Sequence, residues 1–343
     1  MDSSSVFLSP LWQDGITLFL GIVVEALPFL LLGVLLSGLI SAFASERQLL
    51  RWLPQQAWLQ SLAGGVLGFF FPVCECGNVA VARRLILKGM PPHVAISFLL
   101  AAPVFNPVVI VATWVAFRFQ PEIVVYRVVL SLAIATVVGW MFSAQQELEP
   151  ILQPSLLEQV RRNRAIERSE SSASLLSGGT FVLGAKGNVR TAESVYAAAI
   201  AVPPLVGGRQ RWRQLIDLWA AELRELGGIL VLGAAIAAVL QTAVPRQWLL
   251  TYGQDPVSSI AVMLLLGALV SICSTVDSFF ALAFVSTFTP GAILAFLVFG
   301  PMIDLKGIGL MLTAFKPRAI AYLCLLIAQF TFTAALLVNY YGS

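Results

Sequence analysis

Charge is scarce in this sequence. Only 11% of the 343 residues are Asp, Glu, Lys or Arg, against about 25% in a soluble globular domain, and 58% are hydrophobic. No soluble catalytic domain of ordinary size fits in what the apolar runs leave over. A Walker-type Gly-x-x-x-x-Gly-Lys-[ST] loop is missing, so the chain cannot power itself by ATP hydrolysis. There is no haem-type Cys-x-x-Cys-His or other cofactor motif, and no cofactor is expected. The net charge of +3 sits mostly in loops, with no basic patch of interleaved aromatics, which argues against nucleic acid and for orientation in a membrane. Histidine occurs once: His93 abuts Pro91-Pro92 at a helix start and reads as interfacial, not as a proton relay. The four cysteines, Cys74, Cys76, Cys273 and Cys324, all lie in apolar segments, which favours free thiols over a disulfide framework. Met1-Asp2-Ser3-Ser4-Ser5 lacks the basic region and cleavage site of a signal peptide, so the first helix is expected to be retained.

What remains is a set of apolar runs, several reaching the about 20 residues a helix needs to cross the hydrocarbon core. The expected fold is an all-α polytopic protein of the cell inner (plasma) membrane. Trp12 to Ala44 is the first span, followed by Arg47 and Arg51, which place its end in the cytoplasm. Leu59 to Phe71 stops at Pro72, and Asn78 to Leu87 carries Arg83, Arg84 and Lys88 at its end. Neither piece crosses alone, and a hairpin entering from the cytoplasm keeps all three basic residues inside. Pro91 to Arg118 crosses outward with a break at Pro103 to Pro107, and Ile123 to Phe142 returns. Residues 144–213 form an Arg- and Ser-rich cytoplasmic linker, too polar for all of it to offset its ordering entropy and so expected to be partly disordered; Val195 to Val206 within it reads as a surface-lying segment. The domains are thus residues 1–143, the linker 144–213, and residues 214–343.

The second half repeats the punctuation of the first. Gly68 to Cys74 and Gly267 to Cys273 are both six residues; Cys74 to Asn78 and Cys273 to Asp277 are both four; Pro103 to Asn106 and Pro301 to Asp304 are both three. Glu25 and Glu225, Gly33 and Gly233, and Pro54 and Pro245 extend the match. Three crossings and one hairpin per half would make the repeats inverted, an arrangement that places a transport site at the repeat interface near mid-membrane; hairpins that cross fully would make them parallel.

Helix breaks inside lipid free backbone groups that only protein or a wet cavity can satisfy, and four breaks in corresponding places imply a cavity. Asn78, Asn106, Asp277 and Asp304 sit at those breaks. Cys74 and Cys76 flank Glu75 at the first, and paired thiols are soft ligands for thiophilic centres such as trivalent arsenic, Cu(I) or Zn, although buried Cys also packs without chemistry. Cys273 has no second Cys beside it, and Cys324 reads as packing. A charge at the bilayer centre costs at least about 2.5 kcal/mol, which singles out Glu25, Glu225, Asp277, Asp304 and Lys306; Asp304 and Lys306 are also read as pairing with each other or with Glu225.

Phe71-Pro72-Val73-Cys74-Glu75-Cys76-Gly77, Gly89, Ala102-Pro103-Val104-Phe105-Asn106-Pro107 and Gly300-Pro301-Met302-Ile303-Asp304 resemble the predicted-permease family (DUF318-type) that includes the organoarsenical efflux permeases. The resemblance covers nearly the whole chain outside the linker. It implies a polytopic inner-membrane permease, trivalent methylated arsenicals as a substrate class, and the tip cysteines as ligands. Glu75-Cys76-Gly77-Asn78 departs from the arsenical branch, where serine-rich residues tend to stand, so the substrate does not follow from membership.

The resulting expectation is a secondary-active efflux permease, not an enzyme, for a small thiophilic solute such as trivalent organoarsenicals. The proton is its candidate coupling ion, the lipid bilayer its surroundings, and a homo-oligomer stays open. The alternatives are a carrier of another small ion or polar solute, or a membrane-embedded thiol oxidoreductase using Cys74 and Cys76, which would need a cofactor or quinone partner. A membrane scaffold would leave the intramembrane acids unexplained.

Overall fold

Prolines open most of the helices. The chain was studied as a computed structural model, which describes residues 10–43, 53–71, 74–145, 150–173, 181–183, 189–191, 208–243 and 255–341. Arg47, Arg51, Pro72, Val73, Pro245 and the expected surface segment 195–206 lie outside them. Pro10, Pro92, Pro107, Pro121, Pro154, Pro256, Pro290 and Pro317 each stand first in a helix, where the missing N–H costs nothing and the fixed φ suits the first turn. The first half comprises α1 (Pro10–Phe43), α2 (Ala57–Leu67, continued by a 3-10 turn Gly68–Phe70), α3 (Glu75–Leu87), α4 (Pro92–Ala101), α5 (Pro107–Ala116) and α6 (Pro121–Ser143). The second comprises α8 (Gly208–Ala243), α9 (Pro256–Val270), α10 (Asp277–Leu282), α11 (Pro290–Met302), α12 (Leu305–Met311) and α13 (Pro317–Tyr341). Both run from a long helix through short broken ones to a long closing helix.

Among the described residues, five stretches are long and apolar enough to cross a membrane: Gln13–Ile40, Pro121–Ser143, Trp219–Thr242, Pro290–Met311 and Pro317–Tyr341. The protein is a multi-pass membrane protein. Its α4 and α5 have 10 residues each and rise about 15 Å, half the about 30 Å core, so they reach across only in series. Val24, Leu232 and Val239 expose their side chains, as a lipid-facing surface requires.

Packing groups α2 with α4 and α6, and α9 with α11 and α13. The long helix α1 lies along both α8 and α3, while α8 also packs on α12. The approach of α1 to α3 needs glycine, because a Cβ on Gly33 would fall on the backbone of Gly77. Elements of the two halves then meet in the interior, α3 against α12 and α5 against α10. Cys74, Val79, Leu226, Leu230, Cys273, Met302 and Ile303 belong to one buried cluster there.

The linker holds more structure than its composition implies. Residues Pro154–Ala173 form helix α7, and the second half's first helix starts at Gly208, inside the span assigned to the linker. The segment is docked: Ile151, Leu152, Leu156 and Val160 are buried. Gln153 N donates to Ala314 O at 3.0 Å and Lys316 N to Ile151 O at 2.9 Å, while Asn163 Nδ2 donates to Leu87 O at 3.3 Å. The chain between the halves therefore clips the end of α12 to the end of α3. Beyond it, Phe181–Leu183 and Val189–Thr191 pair as a short antiparallel hairpin with Phe181 opposite Thr191, the one departure from helix among the described elements.

Candidate functional site

Helix α9 ends in strain. Its C-cap Ser271 adopts φ 42°, ψ 38°, the one positive φ of a non-glycine residue among those described, a conformation that costs roughly 1–2 kcal/mol. The turn strands the last carbonyls of α9, which have no partner within the helix. Side chains from other helices answer them. Gln241 Nε2 of α8 donates to Leu269 O and Val270 O, and Lys306 Nζ of α12 donates to Ser271 O at 2.8 Å.

Lys306 is the hub of the centre. It is 2% exposed, lies 2.8 Å from Glu75 Oε1 and 3.6 Å from Asp304 Oδ2, and so ties the first half to the second. Asp304 also caps α12, its Oδ1 accepting from Gly307 N at 2.8 Å. Glu75 is the first residue of α3 and is buried; its Oε2 accepts no hydrogen bond from the described residues. Glu25, half-buried on α1, feels the charges of both Lys306 and Glu75, and its Oε1 is buried without a hydrogen-bond donor among the described residues.

Beside this charge cluster the cysteines of the two halves meet. Cys74 and Cys273 are buried and free, and their sulfurs lie within 4.8 Å of each other. A ligand atom of Cys74, one of Glu75 and one of Cys273 all lie within 4.8 Å of one another. The two cysteines are positioned by the same local device. Cys74 O accepts from Gly77 N (3.1 Å) and Asn78 N (3.2 Å), and Cys273 O from Val276 N (2.9 Å) and Asp277 N (3.0 Å). Cys74 thus finds a second partner across the interface in Cys273, which has no Cys neighbour in sequence. Cys76 is fully buried, but it stands outside the two-thiol, one-carboxylate group. The donor set is soft with one hard oxygen, and suits thiophilic species.

A second polar cluster forms around Arg127 of α6. Its guanidinium is 1% exposed and donates to Asp277 Oδ2 (2.8 Å), Ser278 Oγ (2.6 Å), Thr113 Oγ1 (2.8 Å) and Ser274 O (3.4 Å). This pair again joins the halves. The sequence signal was a lone basic residue inside the run Ile123–Phe142, which the reading of intramembrane charges left out. Asp277, expected at a solute-binding break, is held by Arg127, though still within electrostatic reach of Glu75.

The third cluster revises the expected pairing of Glu225. It binds Arg83 at 2.8 Å rather than Lys306, because α8 runs beside α3 at that level; its side chain is 46% exposed, so it stands at the edge of the buried centre. Arg84 binds Glu222 at 2.8 Å, whose Oε2 accepts from Ser37 Oγ at 2.9 Å. Glu222 escaped the sequence reading, and Arg83 and Arg84 had served only to orient the hairpin. Asn78 is buried in the first turn of α3. Asn106 caps α5, its Oδ1 accepting from Val108 N at 3.0 Å, the role Asp304 plays for α12. His93 meets Gln60 Oε1 at 2.9 Å, and half-buried Cys324 packs against the core from α13.

Broken helices, an apolar outer surface and a buried polar centre fed by both halves define a multi-pass membrane permease. The chain belongs to the ArsP_1 family, described as predicted permeases, whose profile matches residues 11–340. It is 37% identical over 323 residues to the UPF0718 protein YcgR of Bacillus subtilis, covering 94% of this chain and 96% of that protein. It is 29% identical over 330 residues, 95% of this chain and 93% of the relative, to a Streptococcus mutans protein named as a two-component membrane permease complex subunit. No solved structure matches it significantly.

Proposed function

We propose that this permease is a secondary-active exporter of a small thiophilic solute, with trivalent organoarsenicals as candidate cargo, and that the solute binds between Cys74 and Cys273. The observation that carries the reading is the convergence of these two thiols, one from each half, within 4.8 Å of each other and of a Glu75 oxygen. A site made jointly by two halves opens to either side when the halves rock, as alternating access requires. With no ATP-binding loop in the sequence, an ion gradient is the driving force, and the proton is the natural candidate. The duplicated punctuation and the like order of helices support reading the halves as repeats, and the inverted orientation is the part of the proposal that rests on the placement of the basic residues. The name of the Streptococcus relative makes a second membrane subunit a candidate partner, beside a second copy of this chain.

The test is resistance in cells lacking other arsenical exporters. Wild type should confer resistance to trivalent methylarsenicals. Cys74→Ser and Cys273→Ser should each lose it, since Ser keeps size but removes soft affinity, while Cys76→Ser loses less. This ranking departs from one based on Cys-x-Cys alone, in which Cys76 would outrank Cys273. Full resistance in Cys74→Ser/Cys273→Ser, at equal expression, would remove the thiol site from the mechanism.

A further inference from the structure

We infer that the cargo the centre is built for is a thiophilic divalent cation, held by Cys74 Sγ, Cys273 Sγ and a carboxylate oxygen of Glu75. The inference rests on the thiol-site reading above and narrows its substrate class. Three features of the centre carry it: its donor atoms, its unanswered oxygens and its charge.

The three donors converge within 4.8 Å, from two chain breaks far apart in sequence. Two sulfurs exclude hard cations such as Mg²⁺ and Ca²⁺, which take oxygen ligands. A carboxylate in the set is superfluous for Cu(I) or for a methylated As(III), each of which two thiolates serve, whereas mixed sulfur and oxygen donors suit a borderline divalent ion.

Buried polar atoms are almost always hydrogen-bonded, yet Glu75 Oε2 and Glu25 Oε1 are buried with no donor among the described residues. Both oxygens belong to carboxylates that sense the same ammonium. A cation held at the thiols supplies what Glu75 lacks.

Glu75, Asp304 and Glu25 face one cation, Lys306, among the described residues, a formal excess of two negative charges in a low-dielectric interior. Isolated charge there is expensive. That excess draws a divalent cation towards the centre and gives no such pull to a neutral organoarsenical. On binding, the two S–H bonds break, two S–metal bonds form, and two protons leave for each cation taken up, with no change of oxidation state.

Cobalt(II) is the probe, because thiolate-to-cobalt charge-transfer bands report sulfur ligation directly. The purified full-length chain in lipid nanodiscs should bind one Co²⁺ with such bands, and Cd²⁺ should displace it. Cys74→Ser and Cys273→Ser should each lose charge-transfer intensity, and Glu75→Gln should weaken binding at least about tenfold. Cys324→Ser, away from the centre, should bind like wild type, and each variant's size-exclusion profile checks its fold. A folded wild type without the bands, or bands that persist in Cys74→Ser/Cys273→Ser, overturns the inference. If the same nanodiscs capture a monomethyl As(III) compound through these thiols but no Co²⁺, the cation assignment falls while the thiol-site reading stands. Failure to capture either removes both.

Discussion

Arg127 is a charged side chain buried in the interior, and it persists because four oxygens from two other helices and a loop accept its hydrogen bonds. Deleting one partner of such a buried pair strands the other and costs about 3–5 kcal/mol, whereas replacing both with apolar residues is often nearly neutral. Arg127→Met should therefore lower the unfolding temperature of the detergent-purified protein sharply, and Arg127→Met/Asp277→Leu should recover most of the loss. An unchanged melting curve in the single variant would show that the pair is not formed. By the same logic Asp277→Asn should lose stability, because it weakens the partner of a buried guanidinium. Lys306 is more exacting, since its removal leaves Glu75 and Asp304 facing each other uncompensated: Lys306→Met should reduce folded yield, and Lys306→Met/Asp304→Asn should restore part of it in a fluorescence size-exclusion assay.

Helices in this chain are placed by small residues and clips as much as by apolar faces. Gly33 and Gly21 are both on α1, yet a Cβ at Gly33 meets the Gly77 backbone while one at Gly21 meets nothing within 4 Å. Gly33→Ala should push α1 from α3 and lose stability; Gly21→Ala should be neutral or stabilising by about 0.5–1 kcal/mol, the helix preference of Ala over Gly. Thermal unfolding of the two variants side by side checks both signs. The docked linker gives a second test. Leu156 is fully buried, so Leu156→Asp should release α7 and speed tryptic cleavage at Arg161 and Arg162 in intact nanodiscs; an unchanged cleavage rate would mean that the docking is not maintained in the bilayer. The order of elements was legible in the sequence because proline and glycine punctuation sets helix ends locally. The long-range pairs were not, because nothing local links Cys74 to Cys273 or Arg127 to Asp277. The charges carried a role beyond orientation: Arg83 and Arg84, read as topology signals, also pair with Glu225 and Glu222, which are distant in sequence but adjacent once α8 lies beside α3. Asn106 and Asp304 were found from their spacing, which carried their place at the breaks but not their role as helix caps.

At the scale of the molecule, the proposed inverted arrangement would put Lys88 in the cytoplasm and Asp255 outside. Single cysteines at these positions on a cysteine-free background should react with impermeant maleimide from opposite sides of the membrane, and labelling of both from one side would rule out the inverted arrangement. The central claim, that solute passes through a site shared by Cys74 and Cys273, is tested most directly by transport itself. In everted vesicles with an imposed proton gradient, wild type should accumulate Cd²⁺ or a trivalent methylarsenical saturably. Cys74→Ser/Cys273→Ser, at equal membrane abundance, should fall by at least about tenfold, the effect of losing roughly 1.4 kcal/mol of binding. Equal uptake by the two, or none by wild type with either solute, would contradict the account.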